Sequence, residues 1–259
     1  MVGTVTSYQQ IASNLEKSLV KMMQRADVKH ECDYFLANIG NITSIDAFIK
    51  DDQLFGFAMT AFGLKDMIYG KAFMRKVLSE GLDGEDSFAM QLADTRFREF
   101  AEAFNFARLG PTATATDLAQ RGTVDRFVRM QLEIEAGELD EGLRLALYFR
   151  RKAASVTSVY GLMGDSTLYR VLQTALGLPA AYSSAEIDKQ AAIISSKLDI
   201  EDFKNSAKLE AFVATFVAKW QTANGDSSAN SPVVGLSQSV LATFDNSLLL
   251  SLQNIRRHG

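Results

Sequence analysis

The sequence has a single cysteine, Cys32, and only three prolines in 259 residues. One thiol excludes an intramolecular disulfide, and with it a stapled secreted scaffold; a reducing compartment is expected, with the cytoplasm as the default. So few prolines, with 22% charged residues, exclude collagen-like and disordered polymers. Long apolar runs are also missing. Nothing approaches the ~20 residues of a membrane span, and Leu248-Leu249-Leu250 is broken by Ser247 and Ser251. Met1 to Val20 lacks the basic start, apolar centre and small-residue cleavage site of a secretory signal, so a classical secretory route is not expected. Charge of one sign is in short supply too. A net charge of −4 gives no reason to expect nucleic acid, and the runs Arg150-Arg151-Lys152 and Arg256-Arg257 read as solvated helix faces.

What is present is 47% hydrophobic residues, rich in Ala, Leu, Phe and Met at helical spacings, and an internal repeat. Displacing the chain by 114 residues aligns Tyr34-Phe35 with Tyr148-Phe149, Thr43-Ser44 with Thr157-Ser158, and Asp51 with Asp165. It also aligns Leu54 with Leu168, Thr60-Ala61 with Thr174-Ala175, and Gly63-Leu64 with Gly177-Leu178. These are ten identities between Tyr34 and Leu64, where composition alone gives about two. At offset 116, Ser79, Leu82, Asp83, Glu85 and Asp86 meet Ser195, Leu198, Asp199, Glu201 and Asp202. At offset 112, Phe97, Phe100, Ala101 and Phe104 meet Leu209, Phe212, Val213 and Phe216. The offset changes near Pro179 and between Asp86 and Thr95, where loops tolerate insertion and deletion.

The matched polar residues are helix punctuation. Ser44, Ser158, Asp51 and Asp165 stand where N-caps belong, and Gly63 and Gly177 suit left-handed C-terminal caps. Between them the apolar residues keep helical period: Val28, Cys32, Phe35, Leu36 and Ile39 form one stripe, and Phe97, Phe100, Ala101 and Phe104 a second. Leu143, Ala146 and Leu147 form a third, after a helix that Gly137 is expected to end. Leading helices are expected near Thr4 to Met23 and Val124 to Ala136, aligning Ile11, Leu15 and Leu19 with Val124, Val128 and Leu132. Strand alternation is absent over any useful length. The fold class is therefore all-α and multihelical, a tandem duplication packed into a single globular unit, because two copies are too few for an open solenoid. The duplicated domain spans 1–220, with copy one about 27–107 and copy two about 141–220.

Candidate chemistry is sparse. His30-Glu31-Cys32-Asp33 unites four metal-ligand types, but neighbours on a helix point about 100° apart, so Cys32 belongs to the apolar stripe and no metal site is expected. The twin Leu-Asp-x-Glu-Asp motifs at Leu82 and Leu198 read as acids opening the next helix. Glu133, Glu135, Glu138, Asp140 and Glu141 read as a solvated acidic face. No nucleophile elbow, phosphate-binding loop, dinucleotide fingerprint or zinc-protease motif occurs, and no cofactor is expected.

Residues 221–235 have linker composition, after which 236–259 read as an amphipathic helix. Its apolar face comprises Leu236, Val240, Leu241, Phe244, Leu248, Leu252 and Ile255, which either folds back onto the chain's own core or serves as a surface for a protein partner.

The run Tyr34-Phe35-Leu36-Ala37-Asn38-Ile39-Gly40, then Ala61-Phe62-Gly63-Leu64 and Lys71-Ala72-Phe73-Met74-Arg75-Lys76-Val77-Leu78, resembles an uncharacterised alphaproteobacterial family. Phe100-Ala101-Glu102-Ala103-Phe104-Asn105-Phe106 and Ala175-Leu176-Gly177-Leu178-Pro179 extend the likeness to domain-of-unknown-function family twelve-seventeen. The resemblance implies a duplicated multihelical fold and, because such genes often lie among flagellar genes, a link to flagellum assembly or motility. The expectation is a non-enzymatic helical interaction or accessory protein with a protein partner, of open oligomeric state. The alternative is an enzyme or small-ligand binder with a pocket between the two copies, lined by the repeated acids.

Overall fold

Each half of the chain caps two successive helices with the same residues in the same conformations. The computed structural model describes residues 3–84 and 86–224. In the first half, α1 (Thr4–Ser13) and α2 (Leu15–Met23) lead into α3 (Ala26–Ile39), α4 (Ile45–Lys50), α5 (Asp52–Ala61) and α6 (Lys71–Glu80). Then follow α7 (Phe88–Gln91), α8 (Thr95–Ala103) and α9 (Phe106–Leu109). In the second half, α10 (Arg121–Leu139) leads into α11 (Glu141–Lys152), α12 (Val159–Gly164), α13 (Ser166–Leu176), α14 (Ile187–Lys197) and α15 (Ser206–Asn224). Among the described residues there is no strand. The fold is all-α.

Ser44 accepts a hydrogen bond from Ala47 N at the start of α4, and Ser158 accepts one from Gly161 N at the start of α12. Asp51 takes the amides of Gln53 and Leu54; Asp165 takes those of Thr167 and Leu168. At the other end, Gly63 and Gly177 sit at φ 71° and 66°. There Leu64 N donates to Met59 O at 2.7 Å and Leu178 N to Gln173 O at 2.9 Å, closing the same left-handed cap over α5 and α13. A side chain at either glycine would strain that cap. The α6 and α14 helices match at offset 116, the extra residues lying in the turn that holds the 3-10 segment Ala180–Ser184.

Two apolar cores form. Phe35, Phe48, Phe55, Phe100 and Phe104 lie at the centre of the first, and Phe149, Phe203, Phe212 and Phe216 at the centre of the second. The leading helices reach across. Val124, Phe127, Val128 and Leu132 of α10 complete the first core, whereas Tyr8 of α1, with Val5, Ile11 and Ala12 beside it, joins the second. Helix α11 is buried on nearly every side, by α10, α13 and α1.

Four expectations need correction. The first leading segment breaks at Asn14 into α1 and α2, because α1 turns to the second core while α2 keeps Met22 in the first. Gly137 does not end α10, which continues to Leu139; its missing Cβ leaves room for the Arg144 side chain. Leu36 is 40% exposed, so the α3 stripe is Val28, Cys32, Phe35 and Ile39. Helix α15 extends to Asn224, so residues 221–224 are helical and not linker. The rest of the linker and the face from Leu236 to Ile255 lie outside the described residues.

Candidate functional site

Helices α8, α10 and α11 meet over a set of buried charges. Glu133, on α10, has no exposed surface, and its carboxylate accepts from Arg129 Nε at 3.1 Å and from Arg151 Nε and Nη2 at 2.7 and 2.8 Å. Beside it Glu99 of α8 accepts from Arg126 at 3.0 Å and pairs with Lys152, which is itself buried. Arg150 pairs with Glu210, whose second oxygen accepts the Tyr8 hydroxyl at 2.9 Å. Tyr148 donates to the buried Asp165 at 2.5 Å, joining α11 to the cap of α13.

Lys152 and Glu133 are buried and Arg150, Arg151, Asp140 and Glu141 half-buried, contrary to the solvated faces expected of the two runs, whereas Glu135 and Glu138 are exposed as expected. Glu135 pairs with Arg25, and Glu141 with Arg144 and Arg170. Asp140 caps α11 through Gly142 N at 2.7 Å and accepts from Trp220 Nε1 at 2.9 Å and from Thr4. Within one element each run resembles a polar face; the partners come from other elements. The one local signal was the i,i+4 pair Arg129 and Glu133 on one face of α10.

Burial and pairing compete in these groups. Burial pulls the Arg129 guanidinium below its ordinary range, prevailing over Glu133. Burial acts the same way on Arg151, but the attraction and hydrogen bonds of Glu133 more than offset it, and the net shift is upward. Lys152 is lowered by burial despite Glu99. Tyr148 is raised by burial first and then by the Asp165 carboxylate. The junction is an interlocked set of ion pairs joining the two halves.

The repeated acids divide. Asp199 caps the 3-10 segment Ile200–Lys204 through Glu201 N, while Glu201 and Asp202 pair with Lys204 and Lys208. In copy one Asp83 and Asp86 are exposed and the following α7 has no side-chain cap. Cys32 is 2% exposed in the first core, its thiol pushed up to about 11 by burial and then by Glu31 and Asp33, and His30 points to solvent. Among the described residues no three metal-ligating side chains converge.

Two of the cavities among the described residues are large enough to hold a small molecule, and the repeated acids line neither. One, of about 280 Å³, lies among α1, α2, α10 and α11, with Ile11, Met22, Leu132, Ala136 and Leu143 among its apolar lining and Gln10, Lys21, Arg25 and Glu135 among its polar lining. The other, of about 250 Å³, lies among α3, α5 and α10 and is lined by Glu31, Tyr34, Gln53, Gly56, Phe57, Thr60, Lys65, Phe127 and Gln131. The sequence reading marked neither one.

The architecture has a solved counterpart. A protein of Agrobacterium tumefaciens, whose X-ray structure was determined as a structural-genomics target, is 40% identical and superposes with a TM-score of 0.80. The match covers 85% of this chain and 94% of that one. No curated protein matches the sequence. A family model described as a protein of unknown function, DUF1217, matches residues 61–209, a span running from the end of α5 into α15 and so across both halves; the chain belongs to the DUF1217 family.

Proposed function

We propose that this protein is a non-enzymatic helical interaction protein, an accessory of flagellum assembly or motility acting in the cytoplasm, which holds a protein partner through the apolar face of residues 236–259. The observation that carries the reading is the charge junction. Glu99, Glu133 and Glu210 each bond to two side chains of the chain itself, Glu99 and Glu210 linking the first half to the second, so the carboxylates of the junction are committed to holding the fold rather than to proton transfer. The docking face rests on the spacing of Leu236, Val240, Leu241, Phe244, Leu248, Leu252 and Ile255, which suits a helix laid into a partner's groove. The flagellar link rests on the family resemblance.

Affinity purification of the full chain and of a chain ending at Gly235 from flagellated cells, with a swimming assay of the gene deletion, tests the proposal. A flagellar protein retained by the full chain and lost from the shortened one, together with impaired swimming, is the expected result. If neither form retains a flagellar protein and the deletion swims normally, the flagellar assignment fails.

A further inference from the structure

Helix α1 is joined to α2 by a single residue and serves a different core. Asn14, at φ −121° and ψ 29°, ends the one and precedes the other. It is exposed, and its side chain donates only to Gln10 O and Ser13 Oγ, both within α1. No side chain caps the start of α2, and a break in a helix leaves first-turn amides and last-turn carbonyls without intrahelical partners. Yet the apolar positions run through the joint without a change of phase. Tyr8, Ile11, Leu15, Leu19 and Met22 are spaced 3, 4, 4 and 3 residues apart, as on one face of one helix. A rotation of about 60–70° in φ and ψ at Asn14 alone would bring it to helical values and make Thr4–Met23 continuous.

The bend is loosely filled. The 280 Å³ cavity lies in its crook, between Ser7 and Gln10 of α1 and Ser18 and Lys21 of α2, and Leu139 on its wall is 76% exposed. Helix α1 has 10 residues, no charged side chain and no side-chain cap at its start, and is shorter than the roughly 12–15 residues an isolated helix needs in water. It persists because it is seated. The seat belongs to the second half: Thr4 donates to Asp140, Val5 N to Gln221 Oε1 at 3.0 Å, and Tyr8 to Glu210 at 2.9 Å. Asp140 opens α11, and Glu210 and Gln221 lie on α15. These acceptors match α1 whichever chain supplies it.

We infer that α1 exchanges between two copies of this chain. In the dimer Thr4–Met23 is one straight helix: Leu15, Leu19 and Met22 stay in the first core of their own chain, while Thr4, Val5 and Tyr8 take the seat on α11 and α15 of the other copy, reciprocally. The bonds of α1 to its seat are the same in both forms and cancel. What the dimer gains is the helical hydrogen bonding across Asn14 at two joints; what it loses is the independent motion of two molecules. A short hinge held in a bend is the arrangement that favours such exchange, and the dimer accordingly accumulates with concentration. The exchange does not involve residues 236–259, and its test is independent of any flagellar partner.

Size-exclusion chromatography with light scattering, on the full chain loaded dilute and concentrated, reads the mass, which should rise from one chain toward two. Asn14→Ala should raise the association constant about tenfold, because a helix prefers alanine to asparagine and the preference counts at both joints. Insertion of Gly-Ser-Gly-Ser after Asn14 should leave a monomer, since a longer hinge lets α1 reach its own seat without a forced bend. The joint is exposed, so both variants should keep the parent's far-UV spectrum. The exchange itself is read with Gly3→Cys and Gln221→Cys. A Cβ at Gly3 lies 3.1 Å from Gln221 Cδ, and Cys32 is buried, so oxidation joins the two introduced thiols. On a denaturing gel without reductant the link should run between chains in the dimer peak and within one chain in the monomer peak. A monomer at every load in both the parent and Asn14→Ala, a dimer that survives the insertion, or a dimer peak linked only within chains would each overturn the inference.

Discussion

Replacing Glu133 by alanine should be among the most damaging single changes in the protein. The carboxylate is wholly buried and receives three hydrogen bonds from two guanidiniums, each strengthened by charge. Without it Arg129 and Arg151 face each other in the junction with no neutralising group, and Arg129 is already the one whose charged form burial disfavours. Removing one member of a buried ion pair costs about 3–5 kcal/mol. For a domain of this size each kcal/mol lowers Tm by roughly 2–4 °C, so the melt should fall by about 6–20 °C. Circular dichroism at 222 nm against temperature, and against urea, measures the loss. Glu133→Gln keeps one acceptor oxygen and should fall between. The triple variant Glu133→Met, Arg129→Leu, Arg151→Met should recover most of the loss, because no buried charge remains to be neutralised. A Glu133→Ala protein melting within about 2 °C of the parent, or a triple variant as unstable as the single one, would refute the reasoning.

The duplicated caps give an internal control: Asp51→Ala should cost about 1 kcal/mol in urea unfolding, and Asp165→Ala more, since Asp165 also receives the Tyr148 hydroxyl and is 2% exposed. Gly142→Ala would put a Cβ inside the Trp220 indole, so the only tryptophan should be displaced, with a red-shifted emission and a loss of about 1–3 kcal/mol. Cys32 should be nearly inert to thiol reagents at pH 8 in the folded protein and reactive once unfolded. Its folded pKa of about 11 exceeds the ordinary 9.0. The stability it contributes is therefore whole below pH 9 and lost as pH rises through 11, and Cys32→Ala should make the alkaline decline shallower in urea titrations at pH 8–11.

What the sequence revealed and what it concealed follow from the range of the interactions. Ser44, Asp51, Gly63 and their counterparts act within four residues of themselves, so their spacing alone disclosed the helix ends. The stripe on α3 was legible for the same reason, except Leu36, which sits at its margin. The ion pairs of Glu133 and Lys152 join residues 18 and 53 positions apart, and nothing in either local run distinguishes a solvated charge from a paired one. The break at Asn14 has a tertiary cause, since α1 and α2 serve different cores.

The crossing of the leading helices changes what counts as one folding unit. The first half takes a wall from α10 and the second takes one from α1, although each of these helices precedes the other half in the chain. A cut near residue 120 would thus separate two incomplete pieces. The two halves are interlocked, each supplying a wall of the other's core. Mixing separately made fragments 1–120 and 121–224 should restore the helical signal that neither shows alone.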